Sequence, residues 1–301
     1  MLASGRTSTQ VGGRCRRSPA PACAPRGRHS LRSVQSIDEE TLKDMSGLLT
    51  LDNIRSSLIR QEDTIIFNLI ERAQYAANDP VYVDGAIAVP GYSADGRHYS
   101  LLEYSLRETE QLHGKVRRYT SPDEHAFFPG SLPSLVMKPI EYDRVLASFS
   151  KDININARIM EVYINEVVPE VAQPGDDNNY GSSSMLDVAV LQALSKRIHY
   201  GMFVAEAKFR EEPAQYTELI KARDSDGIMA LLTDIVVEDR VVERVTLKAA
   251  TFGQDITNPG ATGPSKPKVK ASVVGTLYRK WIMPLTKDVE VAYLLRRLED
   301  E

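Results

Sequence analysis

The amino-acid sequence predicts an all-α fold, and three observations support this. Apolar residues recur at steps of three, four and seven over several long stretches, which is the period of an amphipathic helix. We find no segment with the apolar–polar alternation of a half-buried strand. Aromatic residues make up only 7% of the 301 residues, with 18 glycines and 16 prolines. Because long helices need partners to cover their apolar stripes, we expect a single-domain multi-helix bundle, and a homodimer.

The first half of the chain predicts two long helices and an ordered connection. Apolar residues from Leu51 to Leu69 follow a helical period, which predicts a helix over about residues 50–78. A turn-rich stretch follows, and then a second predicted helix over about 99–119. In the segment SPDEHAFFPGSLP, Ser121 is a candidate N-cap, but two prolines limit any helix there to one or two turns.

The second half of the chain predicts helices over about residues 156–168, 182–210, 214–222, 226–253 and 272–301. Pro169 should end or bend the first of them, and Pro284 should bend the last, because proline has no N–H group to donate. The segment 254–271 is polar and rich in glycine and proline, which is typical of a mobile loop.

The N-terminal residues differ in composition from the rest. Residues 1–36 are rich in Arg, Ser, Ala, Pro and Gly, contain both cysteines and lack acidic residues. This composition is typical of an organelle transit peptide, the alternative being a disordered basic tail. The helical domain is predicted to span residues 37–301, beginning with a capping box at Ser36 and Glu39. Beyond residue 37 the chain carries 30 basic and 41 acidic residues.

This charge balance and the sequence motifs exclude several function classes. An acidic body disfavours binding to nucleic acid, and no apolar run is long enough to predict a membrane span. We find no P-loop, G-x-S-x-G, H-E-x-x-H or glycine-rich dinucleotide turn. The histidines after residue 37 lack metal-ligand spacing. A nucleotide, metal or serine mechanism is therefore not expected.

What remains is a set of charged residues on apolar helices. Arg197, Gly201, Val204 and Lys208 form one stripe of the predicted 182–210 helix, with the two cations about 16 Å apart along its axis. The glycine would leave room for a small dianion between them, or would permit close helix packing. Two other pairs share helix faces four residues apart: Asp234 with Glu238, and Thr286 with Glu290. Arg55 lies beside Ile54 on the first helix.

Five segments make the sequence recognisable. LDNIRSSLIRQEDTIIFNLIERAQY, RRYTSPDEHAFFP, GDDNNYGSSS, LSKRIHYGMFVAEAKF and MPLTKDVEVAYLLRRLE resemble, in order and spacing, the eukaryotic all-helical chorismate mutases of plants and fungi. The resemblance covers about residues 48–298 and is weaker around 79–98 and 254–271. The N-terminal extension is similar to that of the plastid forms, which implies location in the chloroplast stroma.

The resemblance implies conversion of chorismate to prephenate by an intramolecular Claisen rearrangement, without a cofactor or a metal. Arg55 and Arg197 match the arginines that bind the two substrate carboxylates. Lys208 and Glu290 match the pair that approaches the ether oxygen, where Glu290 must be protonated to donate. Three further residues match substrate-binding positions: Glu238 for the ring hydroxyl, Thr286 for a hydroxyl contact, and Asp234, where the fungal pattern has Asn.

The resemblance also implies regulation by the aromatic amino acids Trp, Tyr and Phe. The matching residues would line a site at the interface of a homodimer: Arg117 and Arg118 on one side, and Asn178, Asn179, Gly181 and Ser182 on the other. Met185 stands where the fungal pattern has Thr. The alternative function is a non-catalytic helical dimer that senses aromatic amino acids.

Overall fold

The computed structural model describes residues 51–89, 96–140, 142, 145–254 and 269–300, and this part of the chain is all-α, as predicted. The predicted transit peptide, the capping box at Ser36 and Glu39, and most of the predicted 254–271 loop lie outside the described residues. Five 3₁₀ turns connect or extend the helices: Asp79–Tyr82, Arg118–Thr120, Pro129–Ser131, Ser148–Asp152 and Arg297–Asp300. The helices are α1 Leu51–Arg72, α2 Leu101–Lys115, α3 Asn156–Val162, α4 Val168–Val171, α5 Tyr180–His199, α6 Gly201–Glu211, α7 Pro213–Ala222, α8 Ser225–Leu232, α9 Ile235–Phe252, α10 Ala271–Leu277 and α11 Met283–Arg296.

Helix α5 lies at the centre of the bundle. It packs against α1, α2 and α11, while α6 packs along α11, and α9 packs along α10. The buried side chains of α5 include Val188, Leu191 and Leu194. The apolar faces of three neighbouring helices therefore converge on α5. None of the described helices is both long enough and apolar enough to cross a membrane.

The first helix ends at Arg72, six residues earlier than predicted. The Arg72 guanidinium is fully buried and donates to the carbonyls of Tyr75, Ala76 and Ala77 at 3.2, 2.9 and 2.9 Å. These bonds hold the turn that follows the helix and satisfy three of its backbone carbonyls. On its other side, Arg72 Nε donates to Asp187 on α5 at 2.6 Å.

Two predicted helices are interrupted. The predicted 226–253 helix is wrong at its centre, because Asp234 is the N-cap of α9 and its Oδ1 accepts the amides of Val236 and Val237 at 3.0 and 3.1 Å. The predicted 182–210 helix breaks at Tyr200, between α5 and α6. There the Phe203 amide donates to the carbonyl of Tyr200, three residues earlier, as in a 3₁₀ turn. Ser121 also begins no helix; it follows a 3₁₀ turn instead.

Pro169 and Pro284, the two prolines that were predicted to bend helices, each follow a π-turn. Helices α3 and α4 are joined by a π-turn at Tyr163–Val167, and Pro169 is the second residue after this turn. Helices α10 and α11 are joined by a π-turn at Tyr278–Ile282, and Pro284 is the second residue after it. In each case the residue before proline donates to the carbonyl five residues earlier. The widened turn accommodates a residue that cannot donate to the helix. The second π-turn ends four residues before Thr286 and eight residues before Glu290.

Two histidine rings stack in the interior, His125 against His199, with centroids 4.3 Å apart. His199 Nε2 accepts the Ile155 amide at 3.1 Å. The backbone of Ser150 lies close to the His125 ring, but its geometry falls short of a hydrogen bond. Burial lowers the pKa of His125 to about 2 and the pKa of His199 to about 4.

Replacing His125 with phenylalanine is expected to flatten the loss of stability in acid. Below about pH 6.5 both histidines take up protons in the unfolded chain, whereas both rings stay uncharged in the folded chain. Each ring therefore lowers the free energy of unfolding by about 1.4 kcal/mol per pH unit, down to its folded-state pKa. Phenylalanine keeps the stacked ring but cannot take up a proton. Urea unfolding from pH 7 to 4 checks this; equal acid slopes for variant and wild type would contradict it.

Candidate active site

Helices α1, α5, α6, α8, α9 and α11 surround a cavity of about 490 Å³. Its apolar wall includes Ile54, Leu58, Val204, Val241 and Met283. All the residues predicted from the sequence to be catalytic or substrate-binding line this one cavity: Arg55, Arg197, Lys208, Asp234, Glu238, Thr286 and Glu290. Residues up to 235 positions apart in sequence thus meet at one site.

Arg197 is a buried guanidinium that faces the cavity. Its side chain is only 6% exposed, and within the described residues it pairs with no carboxylate. Arg197 Nη1 donates to Thr286 Oγ1 at 3.5 Å, and Arg197 Nε is buried without a hydrogen bond. A buried cation with unused donors is costly unless an anion pairs with it, so this arrangement favours an anionic ligand.

The Thr286 hydroxyl has a defined direction. It donates to the Ile282 carbonyl in the preceding π-turn at 2.6 Å, so its oxygen accepts from Arg197. In this arrangement Thr286 holds the guanidinium in place. Direct donation from Thr286 to a ligand would require the bond to Ile282 to break.

Gly201 is explained by helix packing. A Cβ atom at this position would lie 2.9 Å from both Thr286 Cγ2 and the Thr286 carbonyl oxygen, and 3.1 Å from Glu290 Cγ. Gly201 therefore allows α6 to approach α11 closely, and it does not line the cavity. Of the two readings that the sequence left open, the structure supports close packing. That packing also fixes the distance between Lys208 on α6 and Glu290 on α11.

Lys208 and Glu238 are each held by a specific partner. Lys208 Nζ donates to the carbonyl of Leu232, the last residue of α8, at 2.8 Å. The ammonium group keeps further protons for a ligand. Glu238 Oε1 accepts from Lys287 Nζ at 3.1 Å, which fixes the carboxylate at the cavity wall.

Glu290 has a carboxyl group whose pKa is strongly raised. Burial raises its pKa to about 7, against the opposing attraction of Lys208, Arg197 and Lys287, while Glu238 adds a further upward contribution. A neutral carboxylic acid is therefore populated near physiological pH. Such a group can donate a hydrogen bond, which a carboxylate cannot.

Arg55 and Asp234 lie at the exposed rim of the cavity. Because Asp234 Oδ1 caps α9, its first role is structural. Sequence reasoning missed four charged residues of the cavity lining: Glu62, Arg240, Arg244 and Lys287. Glu62 binds Arg244 through two hydrogen bonds of 2.6 and 2.9 Å across 182 residues of sequence, a separation that no local pattern signals.

The two sets of predicted effector residues lie apart within one chain. Near the N-terminus of α5, Ser184 contacts α2 at Ser105, whereas Arg118, beyond the C-terminus of α2, donates to Gln192 at 2.8 Å. Ser182 and Gln192 are about 15 Å apart along α5. Asn178, Asn179, Gly181 and Ser182 are all exposed. Within one chain, the two sets therefore lie near different turns of α5.

Comparison with known proteins gives a consistent result. The family model described as chorismate mutase type II matches residues 179–291. The chain is 48% identical over 280 residues to chloroplastic chorismate mutase 1 of Petunia hybrida, covering 90% of this chain and 85% of that protein. It is 50% identical over 258 residues to chloroplastic chorismate mutase 3 of Arabidopsis thaliana, covering 85% and 80%.

Solved structures agree with these relatives. The Candida albicans chorismate mutase in complex with L-Trp superimposes with a TM-score of 0.79 at 43% identity, covering 84% of this chain and 94% of that chain. The chorismate mutase AtCM1 with tyrosine in an allosteric site gives a TM-score of 0.74 at 48% identity, covering 85% and 99%, and a second AtCM1 structure carries phenylalanine there. With relatives this similar over most of its length, the chain belongs to the chorismate mutase family.

Proposed function

We propose that the cavity converts chorismate to prephenate. The observation that carries the proposal is the convergence of the buried Arg197, the anchored Lys208 and the protonatable Glu290 on one cavity. Chorismate has two carboxylates, and the rearrangement moves electrons within one molecule. The reaction therefore needs a site that binds a dianion in a compact conformer and stabilises the negative charge that develops in the transition state.

Each residue predicted from the sequence to be catalytic has a proposed task in this reaction. Arg197 binds one carboxylate in the interior, and Arg55 binds the other from α1 at the rim. As the C–O bond breaks, negative charge grows on the ether oxygen, and Lys208 and protonated Glu290 donate to it. Glu238, held by Lys287, accepts the ring hydroxyl. Thr286 positions Arg197.

The experiment is a turnover assay with the purified chain and chorismate as the sole added compound. We expect chorismate absorbance to fall and prephenate to accumulate at a rate proportional to protein concentration. A chain that binds chorismate without converting it would support the alternative, a non-catalytic sensor of aromatic amino acids. That alternative does not account for Lys208 and Glu290 beside the buried arginine.

We further propose that the protein is a homodimer with aromatic amino acid sites between its subunits. Arg117 and Arg118 of one subunit would lie opposite Asn178, Asn179, Gly181 and Ser182 of the other. Leu112, Val116 and Val136 are exposed apolar side chains near the end of α2, and a second subunit would cover them. The relatives with Trp, Tyr or Phe bound support the effector class. Titration of each amino acid during chorismate turnover tests this; no response to any of the three would contradict it.

The chloroplast stroma is the proposed location. The arginine-rich, acid-free composition of residues 1–36 and the chloroplastic relatives support it. A fusion of residues 1–36 to a fluorescent protein should enter plastids in plant cells, and a diffuse cytosolic signal would contradict the proposal.

A further inference from the structure

The cavity has a positive lining within an acidic protein. Beyond residue 37 the chain has 30 basic and 41 acidic residues, so its surface as a whole repels a dianion. The cavity is lined by six cations, Arg55, Arg197, Lys208, Arg240, Arg244 and Lys287, and by four carboxyl groups, Glu62, Asp234, Glu238 and Glu290. A cleft whose lining carries a net positive charge concentrates anionic ligands.

Arg240 differs from Arg244, Lys287 and Lys208 in the same lining. Arg244 is paired with Glu62, Lys287 is paired with Glu238, and Lys208 donates to a backbone carbonyl. Arg240 is exposed, and it forms neither an ion pair nor a hydrogen bond with the part of the chain that the structure describes. Among the described residues, no carboxylate therefore neutralises its charge.

The position of Arg240 on α9 places it at one edge of the cavity. At 100° per residue, Arg240 and Glu238 lie about 160° apart around the helix, on opposite sides of the face that carries Val237, Val241 and Arg244. Glu238 thus borders the cavity on one side of α9, and Arg240 borders it on the other, where it is exposed to solvent.

We infer that Arg240 is a capture residue, which attracts dicarboxylate ligands into the cavity by its unpaired charge and discriminates them from monocarboxylates. This inference rests on the proposed function. Because the attraction acts through solvent and is present before and during the reaction, it contributes to binding and leaves the chemical step unchanged. It is also weakened by salt, unlike the contacts of the buried Arg197.

The test compares wild type, Arg240→Gln and the matched control Arg158→Gln. Arg158 is also exposed but lies on α3, pairs with Glu161 and does not line the cavity. At an ionic strength of about 0.02 M, Arg240→Gln should raise KM for chorismate about three- to tenfold with kcat unchanged. At about 0.5 M the difference should nearly vanish. Arg158→Gln should behave as wild type at both.

A second readout tests the discrimination between charge types. Cyclohexane-1,3-dicarboxylate and cyclohexanecarboxylate serve as competitive probes, and Arg240→Gln should weaken inhibition by the first more than by the second. Equal KM values and equal salt dependence for Arg240→Gln and wild type would overturn the inference, as would a fall in kcat without a change in KM. Absence of turnover in wild type would instead contradict the proposed function; calorimetric binding of the dicarboxylate should then still weaken in Arg240→Gln, and unchanged binding would overturn the inference.

Discussion

Replacing Lys208 with methionine is expected to lower kcat by about 10²- to 10³-fold, because the variant loses a preorganised donor to the ether oxygen, worth about 3 to 4 kcal/mol in the transition state. KM should change much less, since the negative charge that Lys208 stabilises develops only as the bond breaks. Methionine preserves most of the side-chain length and its packing beside Leu232. Steady-state kinetics with chorismate measures both constants.

The matched control is Lys221→Met. Lys221 is an exposed residue in the last turn of α7 and does not line the cavity, so the same chemical change there should leave kcat within about twofold of wild type. If Lys208→Met kept kcat within threefold of wild type, the proposed role of Lys208 would be wrong.

Replacing Arg72 with leucine is expected to cost about 3 to 5 kcal/mol of unfolding free energy, the largest stability effect that we predict. Its partner Asp187 is fully buried and would lose the 2.6 Å ion pair while keeping hydrogen bonds from Tyr163 at 2.6 Å and Tyr82 at 2.8 Å. Three backbone carbonyls in the turn after α1 would also lose their donor. Urea unfolding followed by circular dichroism gives the difference.

Two variants make this stability prediction specific. Arg158→Leu breaks an exposed pair with Glu161 and should cost less than about 1 kcal/mol. Arg72→Leu combined with Asp187→Leu should cost less than the sum of the two single variants, because no uncompensated buried charge remains. Additive costs, or a loss below 1 kcal/mol in Arg72→Leu, would contradict the account.

The all-α fold and most of the helices could be predicted from the sequence because helical periodicity is a local property. The errors have physical causes that periodicity does not report. Asp234 has the apolar neighbours of a helix interior, yet its carboxylate caps α9. The first helix ends where Arg72 turns to meet Asp187, 115 residues away. Tertiary hydrogen bonds thus set these boundaries.

The candidate site was predictable to a similar extent. Helix geometry predicted that Arg197, Val204 and Lys208 face one site, although the helix breaks at Tyr200 and Gly201 does not line the cavity. The roles of Arg55, Glu238 and Glu290 came from the resemblance. The pairing of Glu238 with Lys287, the bond from Lys208 to Leu232 and the unpaired Arg240 were not predictable, because each depends on how separate helices pack. The pKa of Glu290 likewise depends on burial by its neighbours.

The most direct test of the central claim is the pH dependence of kcat/KM for wild type and Glu290→Gln. Glu290 is faced by Arg197 on α5, Lys208 on α6, Tyr216 on α7, Glu238 on α9 and Lys287 on its own helix. Burial dominates over these charges and raises its pKa to about 7. The neutral, donating form is populated below that pH, so wild-type kcat/KM should fall about tenfold per unit above it.

Glutamine donates at every pH and takes up no proton, so Glu290→Gln should retain its activity through pH 9 without this fall. If the two profiles overlay across pH 5 to 9, neutral Glu290 is not the donor to the ether oxygen, and the proposed mechanism of the cavity is contradicted.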